Sequence, residues 1–250
     1  MKVYYDTNKG LLRENNEDNL IVEETGRYNL YAVADGMGGH KAGEVASSLA
    51  IDSIRECFKE SFQQEDFQAP SFIIKSVKTA NDKIREEALK KEECFGMGTT
   101  ITMAVVDLEL NIAYIGNVGD SRAYILENNE IKQITDDHTY VNELLKDGKI
   151  TKGEAKNHPK RNVITRAVGS EESVNPDIFE IEIFEKEVIL LCTDGLTTHL
   201  SDEKIRDTLK EYGSSESVQK LIEMANDNGG TDNITIIIVD NITRGEMYDR

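Results

Sequence analysis

The sequence predicts an α+β fold in which two mainly antiparallel β-sheets pack together with helix pairs on their outer faces. Three observations lead there. Short apolar or β-branched runs read as strands and occur in succession; their connectors suit hairpins; and the helical segments, marked by apolar spacings of three and four, occur as neighbours rather than alternating with single strands as βαβ units require. With 250 residues, 38% of them hydrophobic, the chain can bury a substantial core.

Tyr28–Ala34 is an apolar run ending in Asp35-Gly36, and reads as a strand that delivers an aspartate to a glycine turn. Ala42, Val45, Ala46, Leu49, Ile54 and Phe58 mark one face of a first helix, and Ile73, Val77, Ala80, Ile84 and Ala88 that of a second; being consecutive, they are expected side by side. Gln63–Pro70 reads as the connector between them. Thr100–Asp107 and Ile112–Val118 alternate Ile, Val, Thr and Tyr around Leu108-Glu-Leu-Asn111, and Arg122–Glu127 and Ile131–Thr135 flank Asn128-Asn129. The four strands are expected to form one antiparallel meander. Glu171–Pro176 reads as a connector and Val188–Cys192 as another buried strand, ending in Thr193-Asp194-Gly195. Ser201-Asp-Glu-Lys-Ile205 opens a third helix with a capping residue, and Val218, Leu221, Ile222 and Ala225 mark a fourth over Ser215–Asp227. Ile234–Val239 is the last apolar run. Residues 1–240 are expected to form a single domain, and 241–250 a polar C-terminal tail.

Lys and Arg number 29 and Asp and Glu 47, for a formal net charge of −18. That field opposes nucleic acid and anionic membrane surfaces. The N-terminus has no apolar targeting core, and no stretch approaches the roughly 18 apolar residues of a membrane span. A cytoplasmic, monomeric protein is expected. Cys57, Cys94 and Cys192 form no paired spacing and suggest neither disulfides nor a zinc site.

Asp35, Asp194 and Asp232 each adjoin an apolar run, and Glu17-Asp18 and Gly119-Asp120 add further acids in similar settings. One Asp-Gly pair is usually no more than a turn. Several carboxylates converging on one cleft repel, and a multivalent cation relieves them. Oxygen ligands without partnered Cys or His favour hard ions such as Mg2+ or Mn2+, two of which can activate a water and polarise a phosphoryl oxygen. Arg13, in Arg-Glu-Asn-Asn-Glu-Asp18, offers a guanidinium able to grip two phosphate oxygens, although a lone Arg is ordinarily a surface charge. Asp35-Gly-Met-Gly-Gly39 lacks the spacing of a nucleotide loop, and Gly119-Asp-Ser-Arg122 is not a nucleophile elbow because Ala123 replaces the second glycine. Ser121 is read as a structural hydroxyl. For His40, His138, His158 and His199 a satisfied structural role is the better reading of each.

Taken in order, these motifs resemble the PP2C family of metal-dependent protein serine/threonine phosphatases, in its compact bacterial form. The resemblance rests on Arg13–Asp18, Asp35–His40, Gly98-Thr-Thr100, Gly119–Arg122, Thr135-Asp-Asp-His138, Arg161–Gly169, Thr193-Asp-Gly195 and Gly230-Thr-Asp-Asn233. It implies a four-layer αββα sandwich with metal ions in a cleft where the sheets meet. By position, Asp35 would bridge two ions, Asp194 and Asp232 would complete the first, and the Gly36 carbonyl would bind the second. Glu17 and Asp18 would hold metal-bound waters, Asp120 with Asp194 a third, weaker ion, and Arg13 the substrate phosphate.

The implied reaction is hydrolysis of phosphoserine and phosphothreonine in proteins by a metal-bridging water, without a phosphoenzyme. The implied partners are phosphoproteins, among them substrates of a bacterial Ser/Thr kinase and the kinase itself. Many eukaryotic members place a histidine directly after the Asp-Gly, where this chain has Met37; His40, a water on the third ion, or no group at all are the candidate acids. The residues from about 136 to 169 resemble the family's flap. A phosphatase dedicated to one anti-sigma antagonist and a catalytically dead phosphoprotein-binding relative are the competing readings; the second usually lacks metal aspartates that this chain keeps.

Overall fold

The computed structural model describes residues 1–39 and 42–242. In chain order its elements are β1 (Lys2–Asn8), β2 (Asp18–Glu24), β3 (Tyr28–Met37), α1 (Ala42–Ser61), α2 (Ala69–Lys90), β4 (Gly98–Thr99), β5 (Ile101–Asp107), β6 (Ile112–Val118), β7 (Arg122–Glu127), β8 (Glu130–Gln133), α3 (Tyr140–Lys146), α4 (Lys152–Lys156), β9 (Asp177–Glu182), β10 (Val188–Cys192), α5 (Asp194–Thr197), α6 (Asp202–Asp227) and β11 (Ile234–Asp240). The strands divide into a sheet of order β1-β11-β10-β7-β8 and a second of order β2-β3-β5-β6-β9, with β4 pairing β3 beside it. Every ladder is antiparallel.

Side-chain alternation explains why the central strands read as unbroken apolar runs. Along β3, Leu30, Ala32 and Ala34 face α1 and α2, packing with Ile54, Phe58, Ile73, Val77 and Ile84. Tyr31 and Val33 point the other way, into a layer shared with Ile189, Leu191, Ile237 and Val239 of the opposite sheet. Ile236 and Ile238 of β11 face α6 through Ile205, Leu221 and Ile222. A strand buried on both faces needs apolar residues at every position. Three apolar layers thus separate four structural ones, and the αββα order is the architecture expected. Emptying one fully buried position in the middle layer, such as Ile237, would cost about 2–5 kcal/mol.

Several local expectations change. Asn128 and Asn129 both take positive φ (50° and 66°) and close the β7–β8 hairpin as foreseen, the mirror-image turn geometry that matches strand twist. The four-strand meander does not form: β5–β6 lies in one sheet and β7–β8 in the other, because the chain crosses between sheets at Gly119-Asp120-Ser121. The third and fourth helices run on as α6, interrupted only at Gly213, whose φ of 68° is non-helical. Ile242, placed by its polar neighbours in a tail, is buried in the inter-sheet layer; residues 243–250 lie outside the described residues.

Candidate metal centre and active site

Five acids arrive at one end of the sandwich from both sheets. Asp18 opens β2 and is the register partner of Asp35 on β3. Asp120 sits at the crossover between β6 and β7, Asp194 follows β10, and Asp232 precedes β11. The two Asp-Gly pairs are not the turns expected of them. Gly36 and Met37 continue β3 and pair with β4, and Asp194-Gly195 opens α5. The glycines answer a steric demand instead: a Cβ on Gly36 would stand 2.0 Å from the Gly43 carbonyl oxygen, and one on Gly195 1.9 Å from that of Asn233.

Hydroxyls and amides hold the acids. Asp18 Oδ2 accepts from Thr193 Oγ1 at 2.8 Å and from Thr235 Oγ1 at 2.7 Å, which ties one sheet to the other beneath the site. The Asp35 backbone is clamped by the Gly98-Thr-Thr100 segment: its N–H donates to Thr100 Oγ1 at 2.9 Å, and its carbonyl accepts from Thr99 Oγ1 at 2.8 Å and the Thr100 amide at 2.9 Å. Thr100 Oγ1 also meets Ser121 Oγ at 2.7 Å, the structural part foreseen for Ser121. Asn233 organises the loop before β2, donating to the carbonyls of Lys9 and Asn15 and accepting from the Glu17 amide. The sequence shows Thr193 only as part of the Thr193-Asp-Gly195 motif, and Thr235 only as β-propensity within a strand.

Burial and mutual repulsion raise these carboxyls. Asp18 is pushed up to about 7, first by burial and then by the fields of Asp194 and Asp232, against the two threonine hydrogen bonds. Asp120 is raised to about 8 by burial, Asp194 and Asp137, and Asp194 to about 6 by burial and Asp232. Asp35 lies well above the usual carboxylate range through burial and the fields of Asp18, Asp194, Asp120 and Asp232. Glu17 is raised mainly by burial. One oxygen each of Asp18, Asp120 and Asp194 is buried without a hydrogen-bond partner. Among the described residues no three His, Cys, Asp or Glu side chains are placed so as to hold a metal ion together. Orphaned carboxylate oxygens in a shared field of like charge are nonetheless what a hard divalent cation satisfies, and the donor chemistry fits one.

Arg13 lies at the rim, its Nη2 donating to Asp232 Oδ2 at 2.8 Å and its Nε to the Thr231 carbonyl at 3.3 Å. The described histidines are engaged structurally. His138 Nδ1 accepts from the Gly119 amide at 3.0 Å while Nε2 meets Asp177 Oδ2 at 3.2 Å; His199 Nε2 accepts from the Thr231 amide, and His158 Nδ1 from that of Lys160. His40 lies outside the described residues. A cavity of about 790 Å3 opens from Asp120 and Asp194 and runs between the 136–162 segment and the start of α6.

An αββα sandwich with buried acids gathered where its sheets meet defines the chain as a phosphatase of the metal-dependent class. The family model for protein phosphatase 2C matches residues 13–235. The serine/threonine phosphatase stp of Listeria welshimeri is 38% identical over 96% of both chains. The crystal structure of the Mycobacterium tuberculosis serine/threonine phosphatase PstP/Ppp superposes with a TM-score of 0.86 at 37% identity, covering 96% of this chain and 97% of that one. A catalytic domain of PstP in complex with two manganese ions gives 0.83 at 35% identity, over 96% and 97% of the two chains. The chain belongs to the protein phosphatase 2C family, and its enzyme class is protein serine/threonine phosphatase.

Proposed function

We propose that residues 1–240 act as one domain that hydrolyses phosphoserine and phosphothreonine in cytoplasmic proteins, opposing a bacterial Ser/Thr kinase. The observation that carries the mechanism is the set of orphaned buried oxygens on Asp18, Asp120 and Asp194. Asp35, Asp194, Asp232 and the Gly36 carbonyl would hold two ions, Mn2+ or Mg2+, with Glu17 and Asp18 ordering their waters and Asp120 with Asp194 taking a third. Such ions supply positive charge that lowers the pKa of water and neutralises the phosphoryl oxygens. The chain's own groups do the rest. Arg13 exchanges Asp232 for two phosphate oxygens and orients phosphorus for in-line attack. The hydrogen bonds from Thr193 and Thr235 of one sheet to Asp18 of the other keep the acids from separating as charge redistributes.

Phosphate release from a phosphothreonine peptide tests this reading. Turnover should require added Mn2+ or Mg2+, vanish in excess chelator, and be lost in Asp194→Ala. Full activity in chelator would overturn it.

A further inference from the structure

The residues 146–161 are basic within an acidic chain: Lys146, Lys149, Lys152, Lys156, Lys160 and Arg161 face only Asp147 and Glu154 in sequence, against the overall charge of −18. Half of these cations are already committed. Lys146 pairs with Asp136 at 3.0 Å and Lys149 with Asp147 at 2.8 Å, and Lys160 lies over the Tyr140 ring, 5.1 Å from its centroid. The other three, Lys152, Lys156 and Arg161, make no ion pair among the described residues, and these three line the cavity that opens from Asp120 and Asp194.

The acids across the cavity do not use up this charge. Asp137 is held by Arg122 at 2.6 Å and Asp202 accepts from the Tyr124 hydroxyl at 2.9 Å. Glu203 feels the field of Lys156 without a contact between them.

Resting on the phosphatase reading above, we propose that Lys152, Lys156 and Arg161 form a subsite for a second anionic group on the substrate, a carboxylate or phosphate close in sequence to the phosphoresidue being hydrolysed. Screening makes the local patch decisive: at physiological salt the field of the distant acidic surface fades over about 8 Å, whereas a peptide seated in the cavity meets these three side chains at contact. The α4 backbone supports two of them, since Thr151 and Glu154 close a capping box at its start and Lys152 and Lys156 follow one helical turn apart.

Three phosphothreonine peptides, identical except for neutral flanks, Asp/Glu flanks, or a second phosphothreonine, are compared with the Mn2+-loaded wild-type protein and with Lys152→Gln/Lys156→Gln/Arg161→Gln. Exposed charge contacts are individually weak, so three should give about a threefold to tenfold lower KM for an anionic peptide than for the neutral one, shrinking at high salt. The triple variant, checked by its melting temperature, should lose this preference, and Lys152→Arg/Lys156→Arg should keep it. A gain with both anionic peptides identifies any negative charge as the ligand, and a gain with the doubly phosphorylated one alone identifies phosphate. Equal KM values for all three peptides, or a preference that survives in the triple variant, would overturn the subsite. Absence of metal-dependent turnover of a small aryl phosphate by the wild-type protein would instead overturn the phosphatase reading.

Discussion

Asp18 and Asp35 are register partners on β2 and β3, so two acids stand directly opposite each other on one face of an antiparallel ladder. Like charges in that relation destabilise a sheet. The threonine hydrogen bonds to Asp18 offset part of the repulsion, and its partnerless Oδ1 marks where protein groups leave off.

Stability of the metal-free protein should therefore fall as pH rises. Carboxyls of Asp194, Asp18 and Asp120 titrate near 6, 7 and 8 in the folded chain, against about 3.9 for unfolded aspartate. Between those values the folded state binds more protons than the unfolded one, so each unit of pH removes stability. The loss begins near pH 4 and continues through about pH 8, where Asp120 titrates. Melting curves in chelator should show Tm dropping from pH 5 to pH 8, and added Mn2+ should raise Tm more at pH 8 than at pH 6. A chelated Tm that climbs through that window would contradict the shared field.

The general outline was legible because strands buried on both faces and helices at spacings of three and four leave strong periodic signals. What was hidden is long-range. Nothing local distinguishes a β6–β7 turn within a sheet from a crossover between sheets, so the sequence does not show that Asp120 sits at the junction of the two. Asp35, Asp194 and Asp120 are visible as Asp-Gly and Gly-Asp pairs, but the reason for the glycines after Asp35 and Asp194, backbone approaching from Gly43 and Asn233, joins residues remote in sequence. The short helices α3 and α4 escaped because their few buried positions, Val141 and Ala155, give no period to read. His138 shows the same limit: its bonds to Gly119 and Asp177 pin the start of the 136–169 segment to the Asp120 turn, and neither partner is near it in sequence.

Arg13 should bind substrate without helping to bind metal. Its guanidinium occupies Asp232 Oδ2 at 2.8 Å with 47% of the side chain exposed, so it competes with a cation for that oxygen. Arg13→Ala removes a charge-assisted phosphate contact of about 1.5–3 kcal/mol and also frees a carboxylate. KM for a phosphothreonine peptide should rise by roughly one to two orders of magnitude on that estimate, while calorimetry should show Mn2+ affinity unchanged or tighter. Weakened Mn2+ binding would make Arg13 a structural support of the acids.

Substitution of Asp120 should separate assembly of the centre from turnover. It stands at the crossover, apart from the Asp18–Asp35 ladder, with one oxygen buried and unpartnered and its carboxyl raised to about 8. Asp35, Asp194 and Asp232 do not depend on it for their backbone positions, since Thr99 and Thr100 clamp Asp35 and α5 carries Asp194. Asp120→Asn keeps the shape of the turn and removes a buried charge that repels Asp194. In chelator at pH 8 the variant should melt above the wild type. With metal present it should retain two tightly bound ions and lose most of its kcat, because the third-ion site proposed to supply a proton to the departing oxygen loses a carboxylate. The threonine side chain leaves phosphothreonine as an alkoxide and needs that proton far more than the aryl oxide released from an aryl phosphate does. The fall in kcat should accordingly be larger on a phosphothreonine peptide than on p-nitrophenyl phosphate. Equal losses on both substrates would place Asp120 in the assembly of the two-ion centre, and an unchanged kcat on the peptide at saturating Mn2+ would take it out of the reaction.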